Sequence, residues 1–171
     1  MDALPPRFAD RGVIVFDWEF DVGAAHDPSE PLGKTSGLAV LSPSLEAFVL
    51  PHLSLGVAMG FGGSTGPGQT TSSISVQPRV GYAFVFSRYV GFWPRVGWAL
   101  KSTNVSTDST STRILSHDLE LYTPIALLPI PHIEVGFGPF FEAAVLAKET
   151  GGERAPLGTT FGLAVDIGGY L

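Results

Sequence analysis

A chain of 171 residues that is 44% hydrophobic but only 15% charged has too few charges to cover a water-facing surface, since ordinary soluble chains carry about 25%; one domain is expected, partly covered by lipid or a partner. No run of about 18 consecutive apolar residues occurs, so a spanning helix is excluded, and the absence of cysteine removes disulfides and thiolate metal sites. A net charge of −6 argues against nucleic acid as a partner, and 21 glycines with 14 prolines suit strands and turns better than helices.

Residues 1–11, MDALPPRFADR, hold no basic stretch followed by an apolar one, so no signal peptide is present; a leader removed before Met1 is the expectation for an exported chain. Strand one is predicted over 13–22, with Ile14, Phe16, Trp18, Phe20 and Val22 on one face and Asp17, Glu19 and Asp21 on the other. A loop over 23–36 follows, rich in Pro, Gly, Asp and Ser. Strand two, 37–50, sets Leu41, Pro43, Leu45, Ala47 and Val49 against Ser42, Ser44, Glu46 and Phe48. After the short turn Pro51–His52, strand three (53–61) opposes Leu53, Leu55, Val57, Met59 and Phe61 to Ser54, Gly56, Ala58 and Gly60. A second loop is expected over 62–72.

Residues 77–101 hold the clearest pattern. Pro78, Val80, Tyr82, Phe84 and Phe86 alternate with Gln77, Arg79, Gly81, Ala83 and Val85; after a turn near Arg88, Phe92, Pro94, Val96, Trp98 and Leu100 alternate with Trp93, Arg95, Gly97, Ala99 and Lys101. Two period-2 runs across a tight turn make a hairpin, strands four and five. The PRVGYA and PRVGWA segments repeat, and a turn centred on Arg88 would set Arg79 opposite Gly97 and Arg95 opposite Gly81. Each guanidinium would then lie across a residue without a side chain.

A Ser/Thr tract over 102–112 reads as the third loop. Strand six (113–127) sets Leu115, His117, Leu119, Leu121 and Ile125 against Ser116, Asp118, Glu120 and Tyr122. A short turn at 129–132 leads to strand seven (133–146), where Ile133, Val135, Phe137, Phe141, Ala143 and Val145 oppose Glu134, Gly136, Gly138, Phe140, Glu142 and Ala144. The fourth loop is expected over 148–158. Strand eight (159–171) carries Phe161, Leu163, Val165 and Ile167 opposite Gly162, Ala164, Asp166 and Gly168. The fold class is therefore all-β: an eight-stranded antiparallel up-and-down barrel whose connections alternate short and long.

Two orientations of the wall are conceivable. With the greasy face inward, the molecule would be a soluble barrel of lipocalin type, its outer wall built from Gly56, Ala58, Gly60, Gly81, Ala83, Gly97, Gly136 and Gly138 and its interior overfilled by Trp, Phe and Tyr. With the greasy face outward, small residues fill the lumen and the charges sit inside; the reverse phase in lipid would cost about 2–4 kcal/mol for each mid-membrane Arg. The lipid-exposed barrel is the reading adopted.

At this point the chain resembles the small eight-stranded outer-membrane β-barrels of Gram-negative bacteria, the outer-membrane protein A/X/W type, over about residues 13–171. Phe161, Leu163, Val165, Ile167 and terminal Leu171 share one phase, like the C-terminal signal read by the barrel assembly machinery, although a final Phe or Trp is more usual. The resemblance implies a periplasmic segment over 1–12 and a transmembrane barrel over 13–171. It also implies an outer-membrane location, short periplasmic turns, and four outer loops (23–36, 62–72, 102–112 and 148–158) free to contact a protein or ligand. Outer-membrane lipid, lipopolysaccharide and, during insertion, the assembly machinery are the implied partners.

The inward charges Asp17, Glu19, Glu46, Arg79, Arg95, Glu120 and Asp166, with Tyr122 nearby, are the expected lumen network; buried charges must pair and hydrogen-bond, which would tie the strands and plug the pore. The acids, with Asp21, Asp118, Glu134 and Glu142 added, outnumber Arg79, Arg95 and Lys101, so protons, bound cations or a wetted, cation-preferring path must balance them. A narrow channel for cations or small solutes is thus the alternative function. A lipid A-modifying enzyme is a third. Its chemistry needs a His, a Ser and an acid on one face, but alternation points His117 away from Ser116 and Asp118, while His26 lies in a loop and His52 and His132 in short turns. Four dispersed histidines are also a poor metal site, so neither metal, cofactor nor catalysis is expected. Phe16, Trp18, Tyr82, Phe84, Phe86, Phe92, Trp98, Phe137, Phe141 and Phe161 are expected on the lipid face as an aromatic girdle.

Overall fold

The computed structural model describes residues 7–26, 36–66, 69–107, 110–149, 154–155 and 157–171. Alternating side chains become β-structure throughout: β1 (Ile14–His26), β2 (Ser36–Leu50), β3 (Leu53–Gly66), β4 (Gln69–Tyr82), β5 (Phe84–Val85), β6 (Val90–Phe92), β7 (Arg95–Thr107), β8 (Ser111–Tyr122), β9 (Ile125–Leu127), β10 (Ile133–Glu149) and β11 (Thr159–Tyr170). Eight of these close a ring in the order β1-β2-β3-β4-β7-β8-β10-β11, with β11 pairing back onto β1. All pairs are antiparallel, so the ring is the up-and-down barrel that the alternation predicts. The short segments β5, β6 and β9 continue β4, β7 and β8 towards the end that carries the short turns, where they pair as β5-β6-β9-β10.

The interruptions that split strands four, five and six were not foreseen, and proline is central to two of them. The ladder lapses at Ala83, at Trp93–Pro94 and at Thr123–Pro124; a proline donates no hydrogen bond and so breaks a rung. The proline carbonyls still accept: Tyr82 N–H donates to Pro94 O (3.1 Å), Trp93 to Pro124 O (3.0 Å) and Thr123 to Pro139 O (3.1 Å). Backbone partners are thereby kept across the breaks.

The long loops are corrected more substantially. Most of 62–72 and 102–112 is strand: β3 runs to Gly66, β4 starts at Gln69, β7 runs to Thr107 and β8 starts at Ser111. Thr107 and Thr110 close the latter hairpin, with a backbone bond of 2.9 Å and a hydroxyl pair at 2.8 Å. Likewise β1 extends to His26 and β10 to Glu149, where Lys148 bridges Arg154. Ser and Thr on both faces erase the hydrophobic alternation that marks a strand, yet β-branched Thr favours the extended backbone. Residues 27–35, 67–68, 108–109, 150–153 and 156 of the expected loops lie outside the described residues.

The two faces separate as the alternation requires. Ile14, Phe16, Trp18 and Phe20 point out and are about half exposed, whereas Asp17, Glu19, Glu46 and Asp166 point in and are buried. A bulge between Ala144 and Leu146 turns both Val145 and Leu146 outward. At the short-turn end the lumen is apolar. Phe8 and Ala9, from the segment before β1, are buried there with Val13, Val15, Phe48, Ala83, Trp93, Leu128 and Tyr170. The Phe8 ring makes edge contacts with Phe48, Trp93 and Tyr170 at 5.4, 5.3 and 5.7 Å. Of the expected N-terminal segment over 1–12, residues 1–6 lie outside the described residues, and Phe8 and Ala9 cork the mouth of the barrel.

Two short turns share one device. His52 and His132, each after a proline, have φ of 70° and 68°. The His52 carbonyl accepts from Ala83 N–H (2.8 Å) while its Nδ1 donates to Ala83 O (2.9 Å). His132 does the same with Tyr170, at 3.0 Å and 2.9 Å. A carbonyl can only accept, so Nδ1 carries the proton in both rings.

Candidate functional site: an ionic belt across the lumen

Directly beyond the apolar cork, inward side chains of five strands, β1, β2, β4, β7 and β11, meet in ion pairs around two guanidiniums. Arg79 comes from β4 and Arg95 from the start of β7, two rungs apart in the register Arg79↔Gly97 and Gly81↔Arg95, the pairing that a turn centred on Arg88 predicts. Arg79 Nη1 donates to Glu19 Oε2 at 2.9 Å and its Nε stands 3.7 Å from Glu46 Oε1. Arg95 is the hub. Its Nη1 donates to Asp17 Oδ2 at 3.0 Å and to Glu46 Oε1 at 3.4 Å. Its Nη2 donates to Asp166 Oδ2 and lies 3.6 Å from Glu19 Oε2.

Two aromatic rings also stand against the Arg95 guanidinium. The Trp93 ring centroid stands 4.5 Å from the guanidinium carbon and the Tyr122 centroid 4.7 Å, so the cation has aromatic neighbours in addition to its carboxylates. Serines complete the belt: Ser44 Oγ donates to Asp17 Oδ1, Ser54 Oγ donates to Glu46 Oε2 (2.8 Å), and Trp93 Nε1 donates to Ser54 Oγ (3.1 Å). Glycine makes the room. A Cβ at Gly81 would stand 2.6 Å from both Ser54 Oγ and Trp93 Nε1. At Gly97 the neighbour is the Gln77 side chain, rather than Arg79 as the repeat suggests.

Of the seven expected network residues, the structure brings together Asp17, Glu19, Glu46, Arg79, Arg95 and Asp166, all buried. Glu120 stands apart: it faces Gly97 across the β7–β8 pair and makes no ion pair with either guanidinium. Glu134 was counted among the inward acids but left out of the network. It is fully buried, and one of its oxygens lies within 4.8 Å of oxygens of both Asp17 and Asp166. A separate pair lies further along, where Lys101 Nζ meets Glu142 at 2.6 Å and Asp118 at 3.6 Å. His117, by contrast, accepts from Trp98 Nε1 at 3.3 Å.

No family model matches the chain by sequence, and no curated protein does. Solved structures do match in shape. Neisserial surface protein A (NspA) superposes with a TM-score of 0.69 at 11% identity, over 92% of this chain and 99% of that one. Ail, the attachment invasion locus protein of Yersinia pestis, gives 0.59 at 10% identity, over 94% and 99%. The fold is that of the small outer-membrane β-barrels.

On the wall of this outer-membrane-type barrel the structure places the predicted aromatics outward. Phe16, Trp18, Tyr82, Phe84, Phe86, Trp98, Phe137, Phe141 and Phe161 are all exposed, while Phe92 is half-buried against the Phe84 ring at 6.1 Å. With the leucines, isoleucines and valines between them they make an apolar outer surface around the ring.

Proposed function

We propose that the protein is an integral outer-membrane barrel without enzymatic activity, its lumen plugged by the ionic belt and the Phe8 cork, serving the envelope or contacting a partner through its outer hairpins. The observation that carries this reading is the pairing of an apolar outer wall with a lumen crossed by buried ion pairs. Such a surface suits lipid, and buried ion pairs linking β1, β2, β4, β7 and β11 across the lumen support the reading of a plug. Lipid and lipopolysaccharide would surround the wall, the assembly machinery would insert it, and the aromatics would serve as interfacial anchors.

The non-enzymatic reading is supported by the histidines whose side chains are described: His52 and His132 are engaged with backbone carbonyls and His117 with Trp98. None has a serine and an acid in hydrogen-bond reach, as acyl-transfer chemistry requires. Contact with an outer partner is the natural use of Ser/Thr-rich hairpins that rise as strand beyond the apolar wall, and attachment is what the Yersinia protein is named for.

The excess of inward acids supports a second reading, a narrow cation-preferring channel. Refolding into planar bilayers, after heat-modifiable gel migration has been established, separates the two. A silent membrane is expected; steady cation-selective steps from the wild-type chain would replace the plug with the channel. A chain that stays soluble without detergent would overturn the membrane placement itself.

A further inference from the structure

Five carboxylates (Asp17, Glu19, Glu46, Glu134 and Asp166) are buried around two guanidiniums. The surplus is local. Glu19 stands nearer Arg79 (2.9 Å) than Arg95 (3.6 Å), Glu46 lies between Arg95 (3.4 Å) and Arg79 (3.7 Å), and Asp17 and Asp166 pair with Arg95, so that Glu134, beside these two aspartates, is the carboxylate without an ion pair to either guanidinium. Asp17 and Asp166 each give one oxygen to the Arg95 guanidinium. Asp166 Oδ1 and both oxygens of Glu134 accept no hydrogen bond. A fully buried carboxylate with neither oxygen satisfied is costly, and Glu134 is aimed at two further acids.

We infer that Asp17, Glu134 and Asp166 form a binding site for one divalent cation of the Ca2+ type, set in the seam where the first and last strands of the barrel meet. The five buried carboxylates exceed the two guanidiniums by three negative charges, of which one such ion neutralises two. One oxygen from each acid lies within 4.8 Å of the other two, the span across a Ca2+ ion whose ligands stand at about 2.3–2.6 Å. Mg2+ demands shorter bonds and a near-ideal octahedron, which three carboxylates fixed on adjacent strands do not offer, whereas Ca2+ tolerates an irregular shell. Register supplies the space: Gly168 of β11 faces Asp17 on one side and Glu134 on the other, and Gly136 faces Asp166. A Cβ at Gly136 would fall on the Asp166 carboxylate. The ion would join β1, β10 and β11, and with all three ligands buried it would enter as the ring closes and then exchange slowly.

The inference goes beyond the proposed envelope role and holds whether or not the lumen conducts. It is tested on the full chain refolded in detergent micelles free of lipopolysaccharide, with Ca2+ or with chelator. Retention of one Ca2+ per chain after gel filtration is expected, with a higher thermal midpoint than for chain refolded in chelator. Glu134→Gln should lose both the retained ion and the midpoint difference, while Glu142→Gln keeps them. A wild-type chain that retains no metal and has the same midpoint in both buffers would overturn the site, and so would retention unchanged by Glu134→Gln. A rise in midpoint for Glu134→Gln over a metal-free wild type would replace the ion by a proton shared between Glu134 and Asp166. Should Glu134→Gln not refold, terbium emission sensitised through Trp93 decides. Its loss in Trp93→Phe places the ion in the belt; emission indifferent to that change puts it elsewhere.

Discussion

Gly81 and Arg95 face each other across the β4–β7 pair, and the missing Cβ of the one is the space through which the other reaches the lumen. A Cβ built at 81 would stand 3.0 Å from Arg95 Cγ and 2.6 Å from Trp93 Nε1 and Ser54 Oγ. Gly81→Val should therefore push apart the stacked Trp93–Arg95 pair and cost about 1–3 kcal/mol, the usual penalty of overpacking. The measurement is the urea midpoint of the micelle-refolded barrel; a midpoint equal to wild type would show that the belt repacks freely.

Arg95 itself can be tested by two changes of different kind. Arg95→Met removes the shared partner of Asp17 and Asp166 and should cost about 3–5 kcal/mol, as breaking a buried pair does. Arg95→Lys keeps the charge but loses the planar fork and its aromatic neighbours, so its unfolding midpoint should fall between the other two. Equal losses for Lys and Met would mean that geometry, not charge, decides.

The cork makes a separate prediction. Phe8→Ala deletes the ring that touches Phe48, Trp93 and Tyr170 and should cost about 3–5 kcal/mol. It should also let acrylamide quench Trp93, which is fully buried in the wild type. Unchanged quenching would show that the mouth stays sealed without Phe8.

The histidine turns separate backbone strain from hydrogen bonding. At a φ of 70° a residue with a Cβ is disfavoured by about 1–2 kcal/mol. His52→Gly therefore loses the Nδ1–Ala83 bond but gains a relaxed turn, whereas His52→Ala loses the bond and keeps the strain. Thermal unfolding should rank Gly above Ala by about 1 kcal/mol. The reverse order would show that the conformation at 52 carries no strain.

Period-2 alternation made the wall readable in sequence: it sorts Phe16 from Asp17 and Val80 from Arg79 without any tertiary information. The hairpin centre at Arg88 even gave the Arg79–Gly97 and Gly81–Arg95 rungs. What alternation cannot supply is position around and along the barrel, which depends on strand tilt and stagger. Alternation therefore puts Glu120 in the lumen without showing that it lines a cavity with Asp21, Gln77 and Lys101 rather than an ion pair with either arginine, and puts Glu134 on the inward face of β10 without matching it to Asp17 and Asp166 across the closure. Nor could the seating of Phe8 be foreseen, because residues 7–12 have no periodicity and their pocket is assembled from distant strands. The Ser/Thr hairpins look like loops in sequence because a strand polar on both faces carries no hydrophobic signal.

The pocket that holds Phe8 contains Tyr170, the last residue of β11, beside Phe48 of β2 and Trp93. Tyr170 reaches that place only by pairing with Val15 at the start of β1, next to the mutual backbone bonds between Ile14 and Leu171. The full set of contacts around Phe8 is thus complete only where β11 has paired with β1. Phe8 is in this sense a gauge of closure: Phe48 and Trp93 can hold its ring without β11, but the third contact, to Tyr170, exists only in the closed ring.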